Sequence, residues 1–272
     1  MNELTTKQKQ WAQEMKLKAL EMAFSTGPNG SHIGGGFSAM EIYAVLYSGI
    51  LNVGTTVKEN VNRDRIIASK GHGVLAQYTA LWKTGLITDD ELKTFDNNGT
   101  HFYGHPSREL SHGIEFSAGS LSLGLSFGVG VALSCKKRKL NNRVIVVLGD
   151  GECDEGLVWE SLMSASNFGL NNLTIILDKN GYQLDGSTLE IMNSESLAKK
   201  FEAFGFQVDE VDGHNCEKMT VVIQKRYDKP NAIILNTVKA HGISFLENNK
   251  MSHMCALTQK QYDQALTELK GE

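Results

Sequence analysis

Five short apolar runs, at 65–68, 144–148, 173–177, 207–211 and 232–236, constrain this chain more than any other feature, because segments of helical character lie between them. Each run is rich in β-branched residues and bounded by turn residues, as strands are. A strand that is apolar almost throughout is one buried on both faces, which requires helices on both sides of a parallel sheet. Helical periodicity is strong over about 7–24, 38–47 and 73–83. The expected fold is therefore α/β: a doubly wound, mostly parallel sheet with helices on both faces. Such sheets bind ligands beyond the carboxyl ends of their strands.

The chain has 272 residues, 41% of them hydrophobic and 21% charged, enough for a sizeable core. No repeat or low-complexity linker interrupts it and it holds three prolines, so residues 1–272 are expected to form a single domain. A net charge of −4 gives no general attraction to nucleic acid or anionic lipid. The basic run at 136–139 reads as a solvated helix end. No stretch approaches 18 apolar residues, and the N-terminus carries a helical stripe instead of a signal peptide's apolar block, so no membrane partner is expected. Cys135, Cys153, Cys216 and Cys255 lack CxxC spacing, which points to structural thiols in a reducing compartment and a cytoplasmic protein.

The second run leads into GDGECDEG, residues 149–156. A glycine-flanked turn between a strand and a helix is a common phosphate cradle, because helix N-terminal amides attract anions. This turn instead carries Asp150, Glu152, Asp154 and Glu155, which would repel a diphosphate unless a divalent cation stood between them. A second strand-end loop should supply neutral oxygens. The third run leads into Asp178-Lys179-Asn180-Gly181-Tyr182, and Asn180 lies thirty positions after Asp150, room for one helix and one strand. Asp150, the side-chain oxygen of Asn180 and the backbone carbonyl of Tyr182 are thus the expected metal ligands, with diphosphate oxygens completing an octahedron.

GDG followed about thirty residues later by a strand-end asparagine resembles the thiamine diphosphate-binding motif. Further segments resemble the N-terminal half of transketolase: SHIGGGFSAMEI (31–42), SKGHG (69–73), YGHPS (103–107), GIEFSAGSLSLGLSFGVGVAL (113–133), EVDGHN (210–215) and NTVKAHGISFLENN (236–249). This resemblance covers nearly the whole chain and implies the N-terminal subunit of a split, two-chain transketolase. It implies transfer of a two-carbon ketol unit from a ketose to an aldehyde, with small sugars or sugar phosphates as substrates. The implied cofactors are thiamine diphosphate and Mg2+, for which Ca2+ or Mn2+ could substitute. The implied partner is a C-terminal subunit whose pyrimidine-binding domain supplies an activating glutamate, in an α2β2 assembly.

The resemblance also assigns residues. His32 and His105 would contact substrate hydroxyls, while His72 and His253 would lie near the diphosphate and the reacting centre; imidazole can both hydrogen-bond and carry protons near neutrality. Gly119, Leu121, Gly149, Gly151 and Leu184 would join Asp150, Asn180 and His72 around the cofactor. Glu155 and Glu160 would lie at a subunit interface, although acids also favour a helix N-terminus for local reasons. Gly119, Gly124, Gly128 and Gly130 would allow close helix packing. His101, His112, His214 and His241 are read as structural or peripheral.

The chain departs from the family pattern at several positions. Ser122 and Leu123 stand where glycine and glutamine are usual, and Ala240-His241-Gly242 replaces glycine-lysine-glycine. Ser252 precedes His253 where tryptophan is frequent, and His112 occupies a usual proline position. These changes are expected around the mouth of the cleft, with a substrate other than the ordinary pentose phosphates. Two other readings share the signature: the α subunit of a 2-oxo acid dehydrogenase, and a non-catalytic subunit that kept the fold.

Overall fold

A computed structural model describes residues 3–53 and 60–271, and every one of the five runs is a strand in it. The strands are β1 (Arg65–Ala68), β2 (Val144–Gly149), β3 (Leu173–Lys179), β4 (Gln207–Asp212) and β5 (Asn231–Asn236). They form one parallel sheet in the order β1-β2-β3-β5-β4.

Successive residues of a strand face opposite sides of a sheet, and here both sides are buried. On one side Ile66, Ile145, Val147, Ile176 and Ile233 pack with the helices Glu3–Ser25, Val74–Lys83, Cys216–Gln224 and Gln259–Lys270. On the other, Ile67, Val146, Leu148, Ile175 and Ile234 pack with the helices Leu123–Lys137, Gly156–Asn167 and Leu197–Ala203. All six residues of β2 are buried, so each large apolar side chain there contributes about 1.5–3 kcal/mol. The Leu123–Lys137 helix lies close on the sheet: a Cβ on Gly128 would sit 2.5 Å from Val146 Cγ2. Gly130 faces open space, so it takes no part in that packing.

Two expectations need adjustment. β4 is an edge strand whose residues are exposed or half-buried, which explains the acids Asp209, Glu210 and Asp212 within it. The helical stretch expected over 38–47 is broken: Ile33–Phe37 and Met40–Val45 are separate helices, because Ala39 leaves helical backbone angles at φ −102° and ψ 4°. The break leaves Ser38 free to donate its hydroxyl to Asp178 at the end of β3, 2.6 Å away. The basic run 136–139 does close its helix, and Lys136 Nζ donates to the Phe168 carbonyl at 3.0 Å.

The register levels the strand ends. Gly149 pairs with Asp178, and Asp178 with Leu235, so the loops after β2, β3 and β5 emerge side by side.

Candidate active site

A cavity of about 320 Å³ opens at these carboxyl ends. Its walls include Gly149, Asp150 and Gly151 from the β2 turn, and Asn180, Tyr182 and Leu184 from the loop after β3. His32, His72, His105, Gly119, Leu121, Glu155 and His253 complete most of the lining. One space thus gathers every residue that the sequence proposed for cofactor, metal and catalysis. Glu160 does not line it; it is exposed on the Gly156–Asn167 helix.

The β2 turn is built by its own acids. Asp150 Oδ1 accepts from the Gly151 N–H at 3.0 Å, and Oδ2 from the Gly181 N–H at 2.7 Å, which ties the two loops together. A Cβ on Gly151 would lie 2.8 Å from Gln183 Cβ, so the approach of these loops needs glycine there. Asn180 Oδ1 accepts from the Tyr182 N–H at 3.1 Å, which orients its amide. Burial, reinforced by the nearby Asp178 charge, pushes the Asp150 carboxyl up to about 6 despite its two backbone donors.

Those groups fit a divalent cation carrying a diphosphate. Asp150, Glu152, Asp154 and Glu155 all line the cavity, whereas no lysine or arginine among the described residues does. The Lys70 charge favours ionisation of Asp150 but no cation is paired with it directly, and a metal beside Asp150 and the Asn180 amide would offset the cost of its burial. Hard oxygen donors suit magnesium, calcium or manganese.

The four histidines form a quartet. Ring centroids are 4.9 Å apart for His32 and His105, 5.5 Å for His32 and His253, 5.1 Å for His72 and His253, and 6.2 Å for His32 and His72. A Cβ on Gly35 would sit 2.4 Å from the His72 ring, so the glycine run in SHIGGG is what lets the ring in. Burial lowers His32 and His253 to about 4, and the neighbouring positive or imidazole groups reinforce this. His72 is pushed well below its ordinary value by burial and the Lys70 charge, and His105 is lowered by burial. At neutral pH the quartet is therefore uncharged, and each ring offers one N–H donor and one acceptor nitrogen.

Several supporting residues escaped sequence reasoning. Lys70 and Asp178 form a fully buried ion pair; Lys70 also donates to the Gly35 carbonyl at 3.0 Å, and Thr237 and Ser38 donate to Asp178. Burial opposes ionisation of Asp178, but the Lys70 charge and these donors outweigh it and hold the carboxyl below its usual range. Glu152 is buried and accepts from the Ser69 hydroxyl, the Ser122 N–H at 2.7 Å and the Gly149 N–H at 3.1 Å, joining three loops. Strand-end position is the signal that could have singled out Lys70 and Asp178.

Glu41, His214 and His241 have potential ligand atoms within 4.8 Å of one another. The protons argue against a metal there. His214 Nε2 accepts the Val238 N–H at 2.9 Å, so Nδ1 carries the proton and donates it to Glu41 at 3.0 Å. Lys16 meets the other Glu41 oxygen at 2.6 Å, and His241 stacks on His214 at 3.7 Å. His214 is thus held by hydrogen bonds within the fold, and His241 packs on its ring and lies 3.3 Å from Glu247. His112 pairs with Glu91 at 2.9 Å and packs on Phe102. None of Ser122, Leu123, Ala240, His241, Ser252 and His112 lines the cavity, and Ser122, Ala240 and Ser252 are buried in the fold, so the departures from the family pattern do not gather at its mouth as expected.

Residues 8–270 match the family described as the transketolase thiamine diphosphate binding domain. The chain is 36% identical over 265 residues to one subunit of the apulose-4-phosphate transketolase from Actinobacillus succinogenes, covering 95% of this chain and 96% of that protein. It is 37% identical to the 6-deoxy-6-sulfo-D-fructose transketolase subunit SqwG from Clostridium sp., covering 89% of each. Among solved structures, transketolase from Campylobacter jejuni superposes with a TM-score of 0.84 at 27% identity, over 99% of this chain but 43% of that one. Transketolase from Leishmania mexicana gives a TM-score of 0.86 at 24% identity and shares the fold over 42% of its length. The chain thus spans less than half of these solved transketolases. A doubly wound sheet, a strand-end turn of buried acids and a match over nearly all its residues place the chain in the transketolase family, as a thiamine diphosphate-binding domain of the kind that forms one of the two chains of split transketolases.

Proposed function

We infer that this chain is the diphosphate- and metal-binding subunit of a transketolase that moves a two-carbon ketol unit from a ketose to an aldehyde. The observation that carries this reading is the convergence of Asp150, Asn180, Tyr182 and the four-histidine quartet on one cavity at the sheet's carboxyl edge. When bound, thiamine diphosphate supplies a carbon nucleophile and an electron sink, which the side chains of a protein lack.

The chain's own residues supply the rest. Asp150, the Asn180 side-chain oxygen and the Tyr182 carbonyl would hold magnesium, and with it the diphosphate. Gly149 and Gly151 give the backbone room to approach, while Gly119, Leu121 and Leu184 flank the same space. His32 and His105, neutral at pH 7, would hold substrate hydroxyls and fix which carbon faces the reacting centre. His72 and His253 would move a proton at a substrate oxygen and exclude water as bonds break and form.

Activity is expected only with a partner subunit carrying a pyrimidine-binding domain and its activating glutamate, in an α2β2 assembly with Glu155 and Glu160 at the contact. The family match favours transketolase over a 2-oxo acid dehydrogenase. Relatives named for apulose 4-phosphate and for a sulfonated fructose favour a specialised sugar over the ordinary pentose phosphates. The test is calorimetry of thiamine diphosphate with magnesium on the chain paired with its companion, followed by ketol transfer from xylulose 5-phosphate to ribose 5-phosphate. Cofactor binding with weak transfer between these sugars supports the reading; failure to bind the cofactor would falsify it.

A further inference from the structure

The short helix Ile33–Phe37 stands against three rings of the quartet. His32 is its N-cap, and its glycines admit its neighbours. A Cβ on Gly34 would sit 2.7 Å from the Ser252 carbonyl oxygen, one residue before His253, and a Cβ on Gly35 would sit 2.4 Å from the His72 ring. The Gly34 carbonyl also accepts the Ala240 N–H at 3.0 Å. A shift of this one helix would therefore carry His32 with it and disturb the seats of His72 and His253.

Such a helix cannot hold its own place. A helix of five residues is far below the length at which helices persist alone, and glycine is the poorest helix former after proline. Gly34, Gly35 and Gly36 bring no side chains to pack, so anchors at the ends must fix the segment. Ile33 and Phe37 enter the core. Ser38, which follows the helix and is fully buried, places its hydroxyl 2.6 Å from Asp178 Oδ2. That length is typical of a hydroxyl donating to a carboxylate, so its single proton goes to Asp178 and not to the Gly35 carbonyl 3.2 Å away. Lys70 Nζ donates to that carbonyl instead, at 3.0 Å, and meets the same Asp178 oxygen. The C-terminal end of the helix is thus tied to the end of β3, two residues before Asn180.

Ser38 does not line the cavity and touches none of the reacting groups. Resting on the transketolase reading, we propose that Ser38 is a positioning residue: its hydrogen bond to Asp178 sets the glycine helix, and through it the placement of His32, His72 and His253 relative to the metal-binding loop. Alanine at this position leaves Asp178 with Lys70 and Thr237 and leaves the helix its apolar anchors, so the fold survives and the loss falls on the placement of the rings.

The experiment uses the complex with its companion subunit, loaded with thiamine diphosphate and magnesium, with hydroxypyruvate as donor and glycolaldehyde as acceptor. A misplacement of about 1 Å can cost about a hundredfold in rate, so Ser38→Ala should lower kcat/KM by about tenfold or more while calorimetric affinity for thiamine diphosphate stays within about twofold. The matched control is Thr220→Val, which removes another buried hydroxyl, one that exchanges hydrogen bonds with Gln8 at 2.9 and 3.1 Å away from the cavity. It should lower the melting temperature at least as much as Ser38→Ala and keep native kcat/KM. With 13C at the histidine Cε1 positions of this chain alone, Ser38→Ala should move the NMR signals of His32 and His72, and Thr220→Val should not. Native kcat/KM in Ser38→Ala, an equal loss in Thr220→Val, or unmoved His32 and His72 signals overturns the assignment. A native complex that fails to bind thiamine diphosphate overturns instead the functional reading beneath it.

Discussion

Asp150 and Asp178 end adjacent strands, and the Asp150 N–H donates to the Asp178 carbonyl at 3.2 Å, yet the two carboxylates have opposite chemistry. Both are buried. Asp178 has a lysine and two hydroxyl donors and is held below its usual range; Asp150 has only backbone N–H donors and is pushed up to about 6. Burial alone therefore says nothing about role; the difference lies in direct pairing, since Lys70 touches Asp178 and acts on Asp150 only through its field. Asp178 is complete without a ligand and pins the sheet's edge, whereas Asp150 has no direct ionic partner, which is the place the proposed cation would take.

The largest expected effect comes from removing what completes Asp178. Breaking a buried pair leaves the survivor charged and unpaired, at a cost of about 3–5 kcal/mol. Lys70→Met and Asp178→Asn should each destabilise the chain by about that much in urea unfolding. If either variant keeps native stability, the pair is not structural and the contrast with Asp150 is lost.

Asp150→Asn should behave in the opposite way. The amide oxygen keeps one of the two backbone donors, so stability should change by about 1 kcal/mol or less. Altering groups that merely orient a metal ligand costs about 10–100-fold in affinity, so loss of the ligand charge itself should weaken magnesium-dependent thiamine diphosphate binding by about a hundredfold or more. Calorimetry beside a denaturant curve reads both numbers. Equal losses of stability for Asp150→Asn and Asp178→Asn would erase the distinction.

Protons sharpen the same contrast. The folded chain without metal holds the Asp150 proton more tightly than an unfolded chain does. That contribution to stability is present below the ordinary aspartate pKa and is lost as pH rises through about 6. Cation binding needs the ionised form, so affinity should gain about tenfold between pH 5 and pH 7, after correction for the cofactor's own protons. Asp178 has the reverse sign: its contribution is present above the ordinary value and is lost only as pH falls through its lowered one. Calorimetry in two buffers of different ionisation heat should show proton release on binding at pH 5 and little at pH 7. No proton release at pH 5 would mean that another group binds the metal.

How much of this could be read from the sequence depends on distance along the chain. Asp150 and Asn180 were legible because each follows its own apolar strand, and parallel neighbours bring their ends together. The quartet was legible only through resemblance, since His32, His72, His105 and His253 come from four separate loops that no local periodicity relates. The Lys70–Asp178 pair joins residues 108 apart, and Glu152 meets Ser69 across 83, so neither could be seen before the register was known. The exposed character of β4 was illegible for a related reason, because edge position is a property of strand order and not of the strand's own residues.

Glu152 is the third acid of this edge and supports the smallest prediction. Its pKa is raised by burial, although the Ser69 hydroxyl and the N–H groups of Ser122 and Gly149 pull the other way, so it stands between Asp150 and Asp178 in how well it is satisfied. One of those donors comes from a strained residue. Ser122 begins the Leu123–Lys137 helix with φ 69°, the left-handed region, where the family pattern has glycine. A side chain there costs about 1–2 kcal/mol, and glycine returns part of that gain through the greater freedom of the unfolded chain, about 0.4–1 kcal/mol. The Ser122 hydroxyl donates only to the carbonyl of Leu121, so its loss strands no buried partner. Ser122→Gly should therefore stabilise the chain by about 0.5–1 kcal/mol and raise its melting temperature by roughly 1–4 °C, with the N–H donation to Glu152 retained. A lower melting temperature would show that the serine side chain holds the loop over the cavity, which would place Ser122 among the residues that keep Glu152 satisfied.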